Sequence, residues 1–425
     1  MKKVVKKIAL LLLVFGIGVG VTLLYMNNKY KVYEEEEPKQ IKKHVDTISM
    51  MLETEAGSGN YEMTTASSWP TDGYIFNTEL SKCENGGELS WDDENKRVLM
   101  SGNVSDKCYV YFDIYVPPTV VSDVCNGGET LSTCITTLSQ NSTSSYTNIY
   151  HHDSALANGA GDNSYRYAGA NPNNFVCFGT NTTPCPTDNL YRIIGVFGNQ
   201  VKLIKYDYAT SALLGTDGDY KGTGTPNSSY YKGSLTTVNK YYWNNSTKKN
   251  TWSESELNKT NLNTNFITNI GTEWAQKIAM TTWKVGGNTW ANIGTQPAKT
   301  AYQNEIVSPV TTNTTDGATE CSAKIGLMYA SDYGFAAAPS AWTSNMDSYD
   351  SSSITSVNWM YMGLYEWTIS RNADNSSNAF FVLRTGYVGS GDISSYSGCR
   401  PSFNLLSSTT YVSGSGSASD PMVIN

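Results

Sequence analysis

The sequence predicts an α+β protein placed outside the cytoplasm: an N-terminal transmembrane helix, a small disulfide-stapled β module and a large C-terminal α+β domain. Three observations carry this. Ile8 to Met26 runs nineteen residues without a charge. All eight cysteines lie beyond that run. From residue 61 onward, short β-branched and aromatic runs alternate with turn dipeptides, interrupted by one stretch of helical spacing. Charged residues are only 16% of the chain, against roughly 25% in ordinary soluble proteins, but the 39% apolar content is enough to bury a core.

Residues 1–7 form a basic tail with Lys2, Lys3, Lys6 and Lys7. As a helix, residues 8–26 span roughly 28 Å, the thickness of a bilayer core. The lysines before them favour a cytoplasmic N-terminus. A cleaved signal peptide is the rival reading, but the apolar run is long for one and no A-x-A site follows it. Either way the rest of the chain is exported, and an even number of exported cysteines reads as disulfides. Eight cysteines allow on the order of a hundred pairings. Proximity selects Cys83–Cys108, Cys125–Cys134, Cys177–Cys185 and Cys321–Cys399. Zinc is the alternative, and the absence of any C-x-x-C pair argues against it.

Residues 27–60 read as a charged juxtamembrane spacer followed by an amphipathic helix, because Ile41, Val45, Ile48 and Leu52 recur at helical spacing. Residues 61–116 read as the small β module, with strands at 96–100 and 108–112. Residues 117–164 are rich in Ser, Thr and Asn and read as a linker. Residues 165–425 read as one domain. It opens with a hairpin, 190–197 and 201–204, around Gly198-Asn199. Ser253 and Glu256 have the spacing of a capping box, and Leu262, Phe266, Ile270, Trp274 and Ile278 continue short helices broken at Gly271.

Thirty basic against thirty-eight acidic residues, with no basic cluster beyond the N-terminus, exclude nucleic acid as a partner. No G-x-S-x-G occurs, and His151-His152 read as surface loop residues, so no catalytic residue is assigned. No metal site or cofactor is assigned either. Asp217 and Asp219 flank Gly218 as in part of a calcium loop, but the remaining oxygen ligands are missing and a plain turn fits better. Glu366, beside Trp367, is the one acid with an aromatic neighbour, and reads as structural. Two segments rich in Tyr, Ser, Gly and Asn, 372–378 and 386–397, flank a strand at 379–384. Their composition is that of adaptable binding loops, although ordinary solvent loops share it. The expected ligand face is therefore Trp367, Asn372, Asp374, Asn375, Arg384, Tyr387, Asp392 and Tyr396.

Four blocks then carry a resemblance. They are Leu190-Tyr191-Arg192-Ile193-Ile194-Gly195 with Val201-Lys202-Leu203-Ile204, Trp252-Ser253-Glu254-Ser255-Glu256-Leu257, Lys324-Ile325-Gly326-Leu327-Met328-Tyr329-Ala330-Ser331-Asp332-Tyr333, and Trp367 through Cys399-Arg400-Pro401-Ser402-Phe403. In this order they resemble a domain of unknown function widespread in surface proteins of gut Gram-positive bacteria. Its ending is similar to that of C-type-lectin-like and formylglycine-generating-enzyme-like domains. The resemblance implies a C-type-lectin-like recognition domain over 165–425. It carries no catalytic cysteine pair across. Gln296-Pro297-Ala298 and Trp243-Asn244-Asn245 lack the Asp residues of calcium-dependent sugar lectins. The expected protein is a membrane-anchored extracellular binding protein or adhesin, with a glycan, cell wall or protein as ligand and the membrane engaged through 8–26. A structural surface or pilus-like component is the alternative, and an extracytoplasmic enzyme a lesser one.

Overall fold

The computed structural model describes residues 47–70, 73–102, 106–115, 121–141, 148–310 and 318–425. The basic tail, the anchor and residues 27–46 of the spacer lie outside the described residues. No helix among the described residues is long and apolar enough to cross a membrane. The chain is mixed α+β and divides into two compact units after Pro117.

In the first unit, Thr47–Glu53 pairs in parallel with Lys107–Ile114 and antiparallel with Tyr61–Thr64. Tyr74–Phe76 and Lys82–Cys83 also pair with Lys107–Ile114, while Glu88–Asp92 and Arg97–Ser101 form a separate hairpin. Met50, Phe76, Val110 and Phe112 make the core, with Trp69 and Trp91 packed against it. The amphipathic helix expected up to residue 60 is corrected here: Ile48 and Leu52 lie on a strand. With Met50 they occupy every second position, the period of a strand face, and Met50 is buried. Parallel pairing with Lys107–Ile114 then satisfies the backbone groups that a helix would have bonded internally.

The second unit is built on an antiparallel sheet. Its strand order is Ile325–Gly326, Ser402–Asn404, Gln200–Lys205, Leu190–Phe197, Ser164–Tyr167 and Ile149–His152, and Phe175–Cys177 also pairs with Leu190–Phe197. The Gly198-Asn199 turn joins the two strands expected of it, and Gly198 takes φ +63° there. A four-stranded sheet, Gly287–Asn288, Glu366–Asn372, Asn378–Val382 and Val388–Asp392, and a three-stranded one, Tyr220–Gly224, Val238–Tyr242 and Tyr396–Ser397, join the main sheet, with two-stranded ladders Thr281–Lys284/Glu320–Ala323 and Tyr411–Ser413/Val423–Ile424. One continuous core joins them, with Trp243, Trp252, Trp283, Trp342 and Trp367 fully buried. At roughly 1.5–3 kcal/mol for each large apolar side chain removed from water, burying these five of the chain's ten tryptophans is a principal source of the unit's stability.

Residues 117–164 are not a linker throughout. Leu131–Asn141 is a helix whose Leu131, Cys134, Ile135 and Leu138 sit at i, i+3, i+4 and i+7 and are all buried. Ile149–His152 is a strand of the main sheet. His152 is correspondingly not a surface residue. It lies against Phe335 and Trp342, and its Nδ1 accepts from the Ala160 amide at 3.0 Å. Burial, reinforced by Arg166, pushes its pKa down to about 2. The Ser253 cap is also corrected: Ser255 Oγ accepts from the Asn258 amide at 3.3 Å at the start of the π-helical turn Leu257–Phe266.

Cys83–Cys108, Cys125–Cys134 and Cys177–Cys185 are disulfides. Cys321 and Cys399 are free thiols, which overturns their expected bond. Cys321 sits opposite Trp283 in the Thr281–Lys284 and Glu320–Ala323 ladder, whereas Cys399 is sealed in the core. The pairing had rested on nearness in sequence, which a separation of 78 residues makes a weak constraint. Of eight cysteines, six are bonded and two remain. Alkylation without reductant is therefore expected to modify Cys321 slowly in the native protein and Cys399 only after denaturation. Burial pushes both thiols up and suppresses their thiolates. Peptide mapping of the modified protein checks this, and native labelling of Cys399 ahead of Cys321 would contradict it.

Candidate functional site

The four-stranded and three-stranded sheets of the second unit carry a cleft of about 500 Å³. Its floor is made by the Glu366–Asn372 and Asn378–Val382 pair, in which Trp367 lies opposite Phe381. Trp367 is held by its Nε1, which donates to the Tyr241 carbonyl at 2.9 Å, and by edge-to-face contact with Phe381 at 5.4 Å. Tyr365 continues this aromatic surface, its ring 5.9 Å from Phe381 and 42% exposed.

A second side comes from Val238–Tyr242. This strand pairs with Tyr396–Ser397, setting Tyr242 opposite Tyr396. The Tyr396 ring is 48% exposed, and the ammonium of Lys240 stands 5.3 Å from its centroid. Lys221 approaches the same ring at 5.8 Å. The third side is the segment 224–227, with Thr225 and Asn227 exposed at the rim. Asp207 fixes the chain just beyond it, accepting from Tyr231 Oη at 2.5 Å and from the Ser234 amide at 2.9 Å. The Lys232 amide donates to Met362 O at 3.0 Å. Gly363 takes φ +76° where the backbone of Tyr230 passes so close that an added Cβ would sit 2.0 Å from its carbonyl oxygen.

Arg384 closes one end. Its carbonyl accepts from Tyr361 Oη at 2.8 Å and its guanidinium lies 5.6 Å from the Tyr230 ring centroid. Beyond that contact is a shallower depression of about 530 Å³ lined by Tyr230, Lys232, Tyr361 and Thr385, among others. Beneath the cleft lies a buried ion pair, Arg400 Nε to Glu366 Oε1 at 2.7 Å. Tyr208 Oη donates to the other Glu366 oxygen at 3.3 Å. Burial raises the Glu366 carboxyl above its ordinary pKa against the pull of Arg400.

Of the expected ligand residues, the structure brings Trp367, Arg384 and Tyr396 to the cleft. The others are elsewhere. Asn372 is buried at the far end of its strand, donating to Ser390 Oγ at 2.8 Å. Asp374 accepts from the Trp290 amide at 3.1 Å, and Asn375 turns its chain through the Ser377 amide. Asp392 accepts from the amide and hydroxyl of Ser394, which lower its pKa. Tyr387 does not line the cleft. The expected loop 386–397 is itself mostly strand, Val388–Asp392 and Tyr396–Ser397. Sequence reasoning missed Lys240, Tyr365, Phe381 and the 224–227 wall. Tyr365 and Phe381 were legible as neighbours of Trp367, but Lys240 and the wall arrive only through strand pairing across some 150 residues of chain.

Asp219 is a loop organiser, accepting from the amides of Asn245 and Leu257. Asn244 is buried and bonds within its own turn, to Thr247 and Lys249. Among the described residues, the side-chain clusters with metal-ligand spacing are Cys83 and Cys108 with Asp106, and Cys125 and Cys134 with Glu129. Their sulfurs are already committed to disulfides. Compared with models of protein families, with curated proteins and with solved structures, the chain matches none.

Proposed function

We propose that this chain is a membrane-anchored extracellular binding protein whose second unit is a lectin-like recognition domain. The cleft between Tyr365, Tyr396 and Arg384 is its ligand site. The observation that carries this reading is the cleft itself. A volume of about 500 Å³ is in the range of small-ligand sites, roughly 300–1,000 Å³. It presents two tyrosine rings to solvent over a floor braced from below, and aromatic surface held rigid in this way gives contact area at low entropic cost. The lectin-like assignment draws support from the way the unit closes. Thr130 bridges Thr410, and the Gly128 amide donates to the Tyr411 carbonyl at 2.8 Å, so its first and last elements meet. The placement of 8–26 in a bilayer rests on the sequence.

The test is a binding screen of the full-length chain against a panel of glycans, mucin and cell wall, each with calcium and with chelator. The control is the double variant Tyr365→Ala/Tyr396→Ala, which removes exposed rings only. The expected result is a chelator-insensitive hit that the double variant weakens by at least about tenfold, the equivalent of 1.4 kcal/mol. Undiminished binding by the variant would move the site elsewhere. No hit, together with self-assembly of the purified chain, would favour the structural surface component instead.

A further inference from the structure

We infer that the cleft takes an acidic sugar. A pyranose ring packs on the Tyr365–Phe381–Tyr396 surface, and its carboxylate lies between Lys240 and Arg384. This deepens the binding-site reading above and rests on it.

The argument begins with charge. The chain carries a net charge of −8, yet the cleft is lined by Lys240 and Arg384 and by no carboxylate. Among the described residues neither cation belongs to an ion pair. Each lies instead over a tyrosine ring, Lys240 over Tyr396 and Arg384 over Tyr230. A cation resting on an aromatic face is positioned but not neutralised, so its charge remains available to a ligand. Two buried acids of the surrounding structure, Glu366 and Asp207, are already used. Glu366 is held by Arg400 and Tyr208, and Asp207 by Tyr231 and two backbone amides. The cleft is therefore a cationic island in an acidic protein. Lys221, beside Tyr396, strengthens it from outside the lining.

The second step concerns what surrounds the charge. Aromatic faces stack well on the apolar face of a sugar ring, and the hydroxyl of Thr225 and the amide of Asn227 at the rim match its hydroxyls. Arg384 offers a planar fork suited to a carboxylate, and Lys240 a point charge opposite it. The Arg384–Tyr230 contact separates the cleft from the adjoining depression, whose wall carries both Lys232 and Asp350. The excess of positive charge is therefore confined to the cleft, where a single acidic sugar unit is recognised.

The test measures binding of the full-length protein to tetragalacturonate, a hyaluronan tetrasaccharide and sialyllactose, each beside its methyl ester. Esterification removes the charge and leaves the ring. The expected result is that at least one acid binds about tenfold or more tightly than its ester, with affinity falling steeply as salt rises. The variant Lys240→Gln/Arg384→Gln should bring the acid down to the level of the ester without altering the thermal melt. Equal binding of acid and ester would overturn the inference while leaving the binding site standing. An acid preference that survives in the double variant would overturn it too, by placing the charge recognition elsewhere. Failure of all three acids, with binding of an acidic peptide instead, would replace the glycan by a protein ligand.

Discussion

Asp332→Ala will destabilise the second unit by about 3–5 kcal/mol, the usual cost of breaking a buried charge network. Asp332 is the meeting point of two buried cations. Its Oδ2 is 2.5 Å from Lys202 Nζ and its Oδ1 is 3.6 Å from Arg166 Nη1. It also accepts from the Tyr329 amide at 2.9 Å, opening the helix Ala330–Phe335. Arg166 keeps a second partner in Asp162 at 2.6 Å, but among the described residues Lys202 has no other carboxylate within ion-pair distance. The Lys202 ammonium is enclosed by the rings of Tyr329, Trp283 and Phe197. Burial lowers its pKa even with Asp332 beside it. Removing the carboxylate therefore leaves a buried ammonium with aromatic faces in place of its counter-charge. Against a total stability of about 5–15 kcal/mol for a domain, this is from about a fifth to all of it. Denaturant titration of the unit checks it. Asp332→Asn, which can still accept from Tyr329, should lose most of the same stability, because charge rather than capping is the larger part. Lys202→Met/Asp332→Leu should recover much of it, since the desolvation cost leaves with the charges. A loss below about 1 kcal/mol in Asp332→Ala would mean that solvent reaches the pair, as in exposed ion pairs.

Part of this architecture was legible in the sequence, and the reasons differ element by element. The Gly198-Asn199 hairpin was legible because a tight turn between two apolar runs is a local signal. The three disulfides closed short spans of 25, 9 and 8 residues, where proximity in sequence enforces proximity in space. The fourth pair spanned two separately placed elements, so nothing local constrained it. Ile48 and Leu52 fit both a helical and a strand period. Only the distant partner Lys107–Ile114 decides between them. The helix Leu131–Asn141 was hidden by its Ser/Thr composition, although Leu131, Cys134, Ile135 and Leu138 spelled a helical stripe. At the cleft, the composition led to Trp367, Arg384 and Tyr396 but not to Lys240, Tyr365 or Phe381. Many of the tyrosines are structural: Tyr167, Tyr191, Tyr208, Tyr241, Tyr329, Tyr333 and Tyr349 are buried. Asn375 and Asp392 spend their polarity on local turns, and Asn372 and Asp374 on neighbouring elements. What composition cannot convey is which strand end faces which, and that pairing alone brings Lys240 to Tyr396.

Glu366→Gln will show how far the cleft depends on the ion pair beneath it. Arg400 is almost fully buried, with Nη2 donating to Met360 O at 2.7 Å and Nε to Glu366 at 2.7 Å. Glutamine keeps an acceptor for Nε but removes the compensating charge, so the variant should lose about 3–5 kcal/mol. Arg400→Met should lose a similar amount, because it strands Glu366 as a buried carboxylate. In the double variant Glu366→Gln/Arg400→Met no charge is left behind. Its loss should therefore fall short of the sum of the two singles by about 1–3 kcal/mol, the range of coupling between residues in contact. The pair is tied to the cleft through its chain neighbours. The Trp367 amide donates to the Gly398 carbonyl at 3.2 Å, and the Gly398 amide to the Tyr365 carbonyl at 2.9 Å. Glu366 thus lies between the two residues that clasp Gly398, and Arg400 two residues beyond it. Measured well below its melting temperature, the double variant should keep its ligand, because Met can fill the space beside Tyr208 while these backbone bonds persist. Additive losses in the cycle would mean that the two charges are stabilised separately, by Tyr208 on one side and by the Met360 and Tyr206 carbonyls on the other. The cleft floor would then rest on apolar packing alone.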